Sequence, residues 1–256
     1  MKRAGLPRGV RVLVLVASIV GVVTAGIATQ ASATPPASPV LIGTGTAQNS
    51  ANKTVNADLS AGAIVGEVVV ASVATGTFQG AATCTDDASG GPNTYHTVAD
   101  RNGGSGRLFV CVSEVTHTLT SANTVTANYP QFSGASVIQV VKFDFSTNGT
   151  VTPADVSTNS GSNPAVSSGK ICEGPSGHWL FGVVANGNIS DFAVDSPPWT
   201  HLATNSVASG AGKRTLTSSY ENVFGACPVN QYELTGHLQN PGSGFWQAAI
   251  VGLSRS

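Results

Sequence analysis

The chain has 256 residues with 12 Lys plus Arg, 13 Asp plus Glu, five His, 30 Gly and only 6% aromatic residues. Four of the basic residues, Lys2, Arg3, Arg8 and Arg11, lie in the first eleven positions, so the remainder carries eight basic against 13 acidic side chains. A mildly acidic body without a basic patch excludes a phosphate-binding surface, and with it nucleic acid as a partner.

In chain order, the basic start is followed by an apolar run from Val12 to Ile27 and by the small residues Ala31, Ser32 and Ala33. That succession predicts a secretory signal peptide over residues 1–33, cleaved after Ala33. A retained span is the competing reading, since the run approaches the roughly 17 residues needed to cross a bilayer. With the peptide removed, a secreted protein with no membrane anchor is expected. Residues 34–53, beginning "TPPASP", read as an extended lead-in.

From residue 54 onward, short apolar runs alternate with Gly, Asn and Ser clusters. "AIVGEVVVASVATGT" at 63–77 is apolar on both faces, as in a strand covered on both sides. "GRLFVCVSEV", "SVIQVVKFDF", "HWLFGVVANG" and "FWQAAIVGL" repeat the pattern, bounded by turn signals at Asn102, Asn148, Asn186 and Asn240. No 3.6-residue period persists beyond two turns. Strands without crossover helices predict an all-β, antiparallel sandwich over residues 54–256, as a single domain. The polar stretch 146–169 reads as a long connection holding at most one short strand. "VVVASVATGTF" and "LFGVVANGNIS" share a faint similarity, as if each half opened with an equivalent central strand.

Four cysteines in an exported chain predict two disulfides, with three connectivities open. Cys84 ends one run and Cys111 sits inside the next large strand, which favours a bridge between them. Cys172 and Cys227 lie in Gly/Pro-containing segments and would staple two loops. No CxxC motif or Cys–His spacing points to zinc.

The segments "GEVVVASVATG", "TCTDDASGGPNTY", "SGRLFVCVSEVT", "SVIQVVKFDF", "PPWTHLA", "QYELTG" and "GFWQAAIVGL" follow one another as in exported bacterial jelly-roll β-sandwich domains, mostly of unassigned function. The chain resembles that type over residues 54–253. The resemblance implies a jelly-roll fold, and some such domains are adhesive or glycan-facing. It also implies that Tyr95 and Trp199 belong to the fold signature. The chain departs from the type at "DDASGGPNTY" and at "ICEGPSGH".

Asp86, Asp87 and Asn93 are candidate oxygen ligands for Ca²⁺, the one cofactor considered. The competing reading is a turn, with Asp side chains bonding the following backbone and Gly90 and Gly91 supplying positive φ. Tyr95 and Trp199, beside turn residues, are candidate platforms for sugar rings. Five histidines and many serines offer no Gly-x-Ser-x-Gly elbow. Glu114, Asp144, Glu173, Glu221 and Glu233 lack the period-two pattern of paired catalytic carboxylates. The expected function is therefore a secreted, non-enzymatic module contacting glycans or another envelope component. A polysaccharide hydrolase and a purely structural envelope protein are the alternatives.

Overall fold

The computed structural model describes residues 37–48, 53–104, 106–130, 134–145, 151–172, 178–188, 190–195, 198–209, 212–223, 231–239 and 245–255; at 151–154, 178, 209 and 255 it describes the backbone alone. The signal-peptide segment, Glu173 and Cys227 fall outside these residues. Among the described residues there are sixteen strands and no helix, and every pairing is antiparallel. The all-β, antiparallel expectation holds.

The first eight strands are β1 (Val40–Ala47), β2 (Thr54–Leu59), β3 (Val68–Thr75), β4 (Thr83–Asp86), β5 (His96–Gly103), β6 (Gly106–Glu114), β7 (Thr124–Asn128) and β8 (Ser136–Phe143). They form one sheet in the order β4-β7-β2-β1-β8-β3-β6-β5. The second eight are β9 (Val151–Gly161), β10 (Ala165–Ile171), β11 (His178–Asn186), β12 (Phe192–Val194), β13 (Thr200–Ser209), β14 (Gly212–Val223), β15 (Tyr232–Leu238) and β16 (Trp246–Arg255). These make a five-stranded sheet, β13-β14-β11-β16-β9, and a three-stranded one, β10-β15-β12.

Adding eight to each label of the first sheet reproduces the order of the other two read end to end, with β9 and β10 touching at the junction. The irregularities repeat as well. The β5–β6 ladder shifts register between Thr97 and Ala99, and the β13–β14 ladder between His201 and Ala203. Ladder partners then equate Cys111 with Ser219, and Ala71 with Gly182. The chain from residue 37 is thus two eight-stranded halves of one topology, and the faint similarity between β3 and β11 marks strands in equivalent central places.

Three apolar layers follow from this. In the first half the sheet rolls over itself, so that Val55, Ala57 and Val125 pack with Val69, Val73, Phe109 and Ile138. In the second, Val166, Phe192 and Leu234 of the small sheet pack on Val184 and Ala248, while Ile171 meets Leu180 and Ile250. Between the halves, Val68, Val70, Leu108, Val110 and Phe143 face Phe181, Val183, Leu216, Ala249 and Val251. Here the Phe143 and Phe181 rings meet edge to face, centroids 6.0 Å apart. Strand β3 feeds Val69, Ala71 and Val73 to one layer and Val68, Val70 and Ala74 to the other. That is why its sequence is apolar on both faces.

Two expectations are revised. The lead-in 34–53 contributes β1, which lies between β2 and β8 with Ile42 fully buried. Its prolines end at Pro39, and the apolar positions after them suffice for a strand. The supposed connection 146–169 contains β9, paired with β16 over most of its length, and the start of β10. Thr, Ser and Val tolerate the pleated sheet although they give a polar, low-complexity appearance.

The Cys84–Cys111 disulfide joins β4 to β6, which are not neighbours in the sheet, and so ties the rolled edge across the first core. Cys172 is disulfide-bonded as well. Closing a loop of 27 residues restricts the unfolded chain by about 3 kcal/mol. Replacing Cys84 and Cys111 together by Ala should lower stability by about that amount, read as a fall in thermal midpoint that reductant does not deepen further for this bridge.

Candidate functional site

The loop after β4 is built by hydrogen bonds from N–H groups to the very oxygens proposed as ligands. Asp86 Oδ1 accepts from the Ala88 and Asn93 amides, both at 3.1 Å, and its Oδ2 accepts from Asn93 Nδ2 at 2.9 Å. Asn93 Oδ1 in turn accepts the Thr116 and His117 amides, each at 2.8 Å. Asp87 points elsewhere, accepting from the Thr124 amide at 2.7 Å and Asn123 Nδ2 at 3.0 Å. The Thr124 bond, and then that from Asn123, hold its carboxyl below the usual range. Gly90 and Gly91 have φ of 106° and 123°. Asp86 and Asn93 therefore stitch the β4–β5 loop to the β6–β7 loop, as a turn does, and Asp87 stitches it to the start of β7. Among the described residues no group of three or more His, Cys, Asp and Glu converges as for a metal.

Tyr95 and Trp199 occupy corresponding places, each just ahead of an edge strand, β5 or β13. Tyr95 packs on the first core. Burial first, and the neighbouring Asp86 charge second, push its phenol upward. Trp199 lies over Gly182 and Leu234, where a Cβ on Gly182 would come within 2.8 Å of the indole, and its Nε1 donates to the Glu233 carbonyl at 3.2 Å. Both rings are half-buried members of their own half's core, so the structure does not bring them together as one platform.

Ladder pairing sets His201 beside Ser219 on one face of β13 and β14, with Glu221 two residues further along. The imidazole Nε2 is paired with Thr204 Oγ1 at 3.0 Å, and among the described residues Ser219 Oγ has no hydrogen-bond partner, so these two side chains form no serine–histidine dyad. Glu221 is 7% exposed, and burial pushes its carboxyl from 4.5 to about 7. Its ladder partner Leu180 belongs to the inner core, as do Tyr232 and Leu234, the chain neighbours of Glu233. By strand alternation Glu233 therefore faces away, and the two carboxylates do not share a cleft.

A hollow of about 520 Å³ lies where the β9–β10 hairpin passes β16. Asn159, Ser160, Ser162, Asn163 and Ser167 line it, and Trp246 forms part of the wall. The indole rests on Gly161, where a Cβ would approach to 2.5 Å, and its Nε1 donates to the Asn163 carbonyl at 2.8 Å. Arg101 of β5 donates to Ser160 Oγ from Nε and Nη2 at 3.2 and 2.9 Å, and Ser167 Oγ donates to Glu233. These contacts orient hydroxyls, while among the described residues no ionisable side chain belongs to the lining itself. Sequence reasoning passed over this site because 146–169 looked like a connection; Asn163-Pro164 between two Thr/Ser/Val runs was the available hairpin signal.

Compared with known protein families, with curated proteins and with solved structures, the chain matches none.

Two expectations follow. Asn93→Ala leaves the Thr116 and His117 amides and the Asp86 carboxylate short of partners and should cost about 2–4 kcal/mol in denaturant unfolding. For Glu221, the unfolded chain releases the proton first, so wild-type stability should fall as pH rises from 4.5 to about 7 and then level off. Glu221→Gln should flatten that profile and be more stable at pH 8 by about 1–2 kcal/mol, the value being reduced by what solvent reaches the carboxyl.

Proposed function

We propose that this protein is an exported, non-enzymatic β-sandwich module of jelly-roll type that contacts neutral glycans through the β9–β10 hollow. The observation carrying this reading is the lining: hydroxyls and carboxamides, which donate and accept equally well, around an indole and without charge. Sugar hydroxyls need both donors and acceptors, and sugar C–H faces suit aromatic and apolar walls. The volume is within the range of about 300–1,000 Å³ usual for small-ligand sites. Export is supported by the leader pattern of residues 1–33 and by the disulfides. The jelly-roll reading is supported by a three-strand run, β4-β7-β2, rolled against a four-strand run, β1-β8-β3-β6, and by their equivalents β12-β15-β10 and β9-β16-β11-β14 in the second half.

The test is a glycan array followed by calorimetry, using the chain lacking residues 1–33. The expected result is binding of neutral oligosaccharide that survives high salt and weakens about tenfold in Asn159→Ala, a loss equivalent to one good hydrogen-bonding group. Absence of binding across neutral glycans would overturn the reading. Binding that Asn159→Ala and Ser162→Ala both leave intact would remove the hollow as its site.

A further inference from the structure

Six strands lie at the ends of sheets: β4 and β5, β10 and β12, and β9 and β13. β9 carries Pro153 and Asp155, and β10, seven residues long, carries Lys170 and lies against β9. β4 has four residues and β12 three, too short to template another strand. β5 has eight but carries Asp100 and Arg101, with Asp100 held by Arg107 and Arg101 reaching over to Ser160. β13, the counterpart of β5 in the second half, is different. Its ten residues, "THLATNSVAS", contain no Lys, Arg, Asp, Glu, Pro or Gly. Beyond the register shift at Leu202, Ala203 to Ser209 run in unbroken register with β14, the only strand paired with β13 among the described residues. Gln139 of β8 steadies the strand, donating to Asn205 Oδ1 at 2.7 Å, to the Leu216 carbonyl at 3.0 Å and to the Ala203 carbonyl of β13 itself at 3.4 Å. Thr200, His201, Ser206 and Ala208 are exposed along it.

A long, uncharged edge presents unpaired N–H and C=O groups that natural sheets otherwise blunt with charge, proline or brevity. The other five sheet ends among the described residues are blunted in those ways, β4 and β12 by brevity, β5, β9 and β10 by charge, and β9 by proline as well. We propose that β13 is an isologous interface, on which a second copy of this chain adds its own β13 antiparallel, joining two five-stranded sheets into one of ten. Two-fold pairing about Ser206 sets Asn205 against Val207 and Thr204 against Ala208, so every cross-strand pair is small and neutral. A strand that pairs with itself cannot carry one charge sign at its centre without repulsion, and β13 carries none. β9 lies at the opposite edge of the same sheet, so both β9–β10 hollows remain open in the dimer, about 40 Å apart. Resting on the glycan reading, this makes the protein bivalent, with tighter hold on a dense glycan surface than on a free oligosaccharide.

Sedimentation equilibrium of the chain lacking residues 1–33, over micromolar to submillimolar concentrations, tests the interface without reference to any ligand. The expected result is a monomer–dimer equilibrium. Ser206→Lys, which sets like charges opposite each other, should weaken it at least about tenfold at unchanged circular dichroism and thermal midpoint. Ala208→Lys should act in the same direction. A monomer throughout the range, or a dimer indifferent to both substitutions, overturns the proposal. Should the wild type dimerise yet bind no glycan, the interface stands and the glycan reading falls.

Discussion

The structure depends on one constraint: the central strands of both halves are apolar on both faces, and neither half can cover both alone. The inward side chains of β3 and β11 are satisfied within their own half. The outward ones, Val68, Val70 and Ala74 on one side and Trp179, Phe181 and Val183 on the other, lie in the layer that the two halves share. Burying each large side chain is worth about 1.5–3 kcal/mol, so the shared layer holds the halves as firmly as a core holds a domain. The contacts also respect a pseudo-two-fold arrangement, for β5 meets β9 and β16 while β13 meets β1 and β8.

Given that arrangement, the informative positions are those where equivalent residues differ. The first half closes its core with the Cys84–Cys111 bridge. In the second, Ser219 replaces the cysteine, and the closing element is the Trp199 indole laid over Gly182. Ala71 stands where Gly182 does, and the smaller Tyr95 where Trp199 does, so a larger ring accompanies a smaller floor. Both aromatics thereby become closures of their own half. The polar side chains at Ser219 and Glu221 are carried on the second half's inner face, while Cys111 and Ser113 hold those places in the first.

The proposed contact site lies at the periphery. The β9–β10 hairpin is anchored on one side by its ladder to β16 and on the other by Arg101 reaching across from the first half. Its Asn and Ser side chains are thus held on a rigid base, which lowers the ordering cost that flexible loops incur on binding a ligand. The same five-stranded sheet has that hairpin at one edge and the uncharged β13 at the other. The two proposed surfaces therefore lie at opposite edges of one sheet, where neither obstructs the other.

Much was legible in the residues themselves. Valine-rich runs punctuated by Asn-Gly turns determine antiparallel β structure, and the doubly apolar pattern of "VVVASVAT" determines burial on both faces, because period-two alternation fails only when both faces are covered. The pairing of Asp and Asn with glycines at 86–93 carried the turn. Other features were decided by tertiary structure. The duplication is nearly silent in sequence, since a strand order can be preserved by any residues that keep the in–out pattern. Residues 40–47 and 151–161 read as lead-in and linker because an isolated polar or short strand has little local signal and gains its stability from a ladder supplied elsewhere in the chain. The hollow beside Trp246 exists only because Gly161 and Trp246, 85 positions apart, are brought to opposite sides of one β9–β16 rung. Local chemistry thus determined the kind of structure, and long-range pairing decided where its surfaces open.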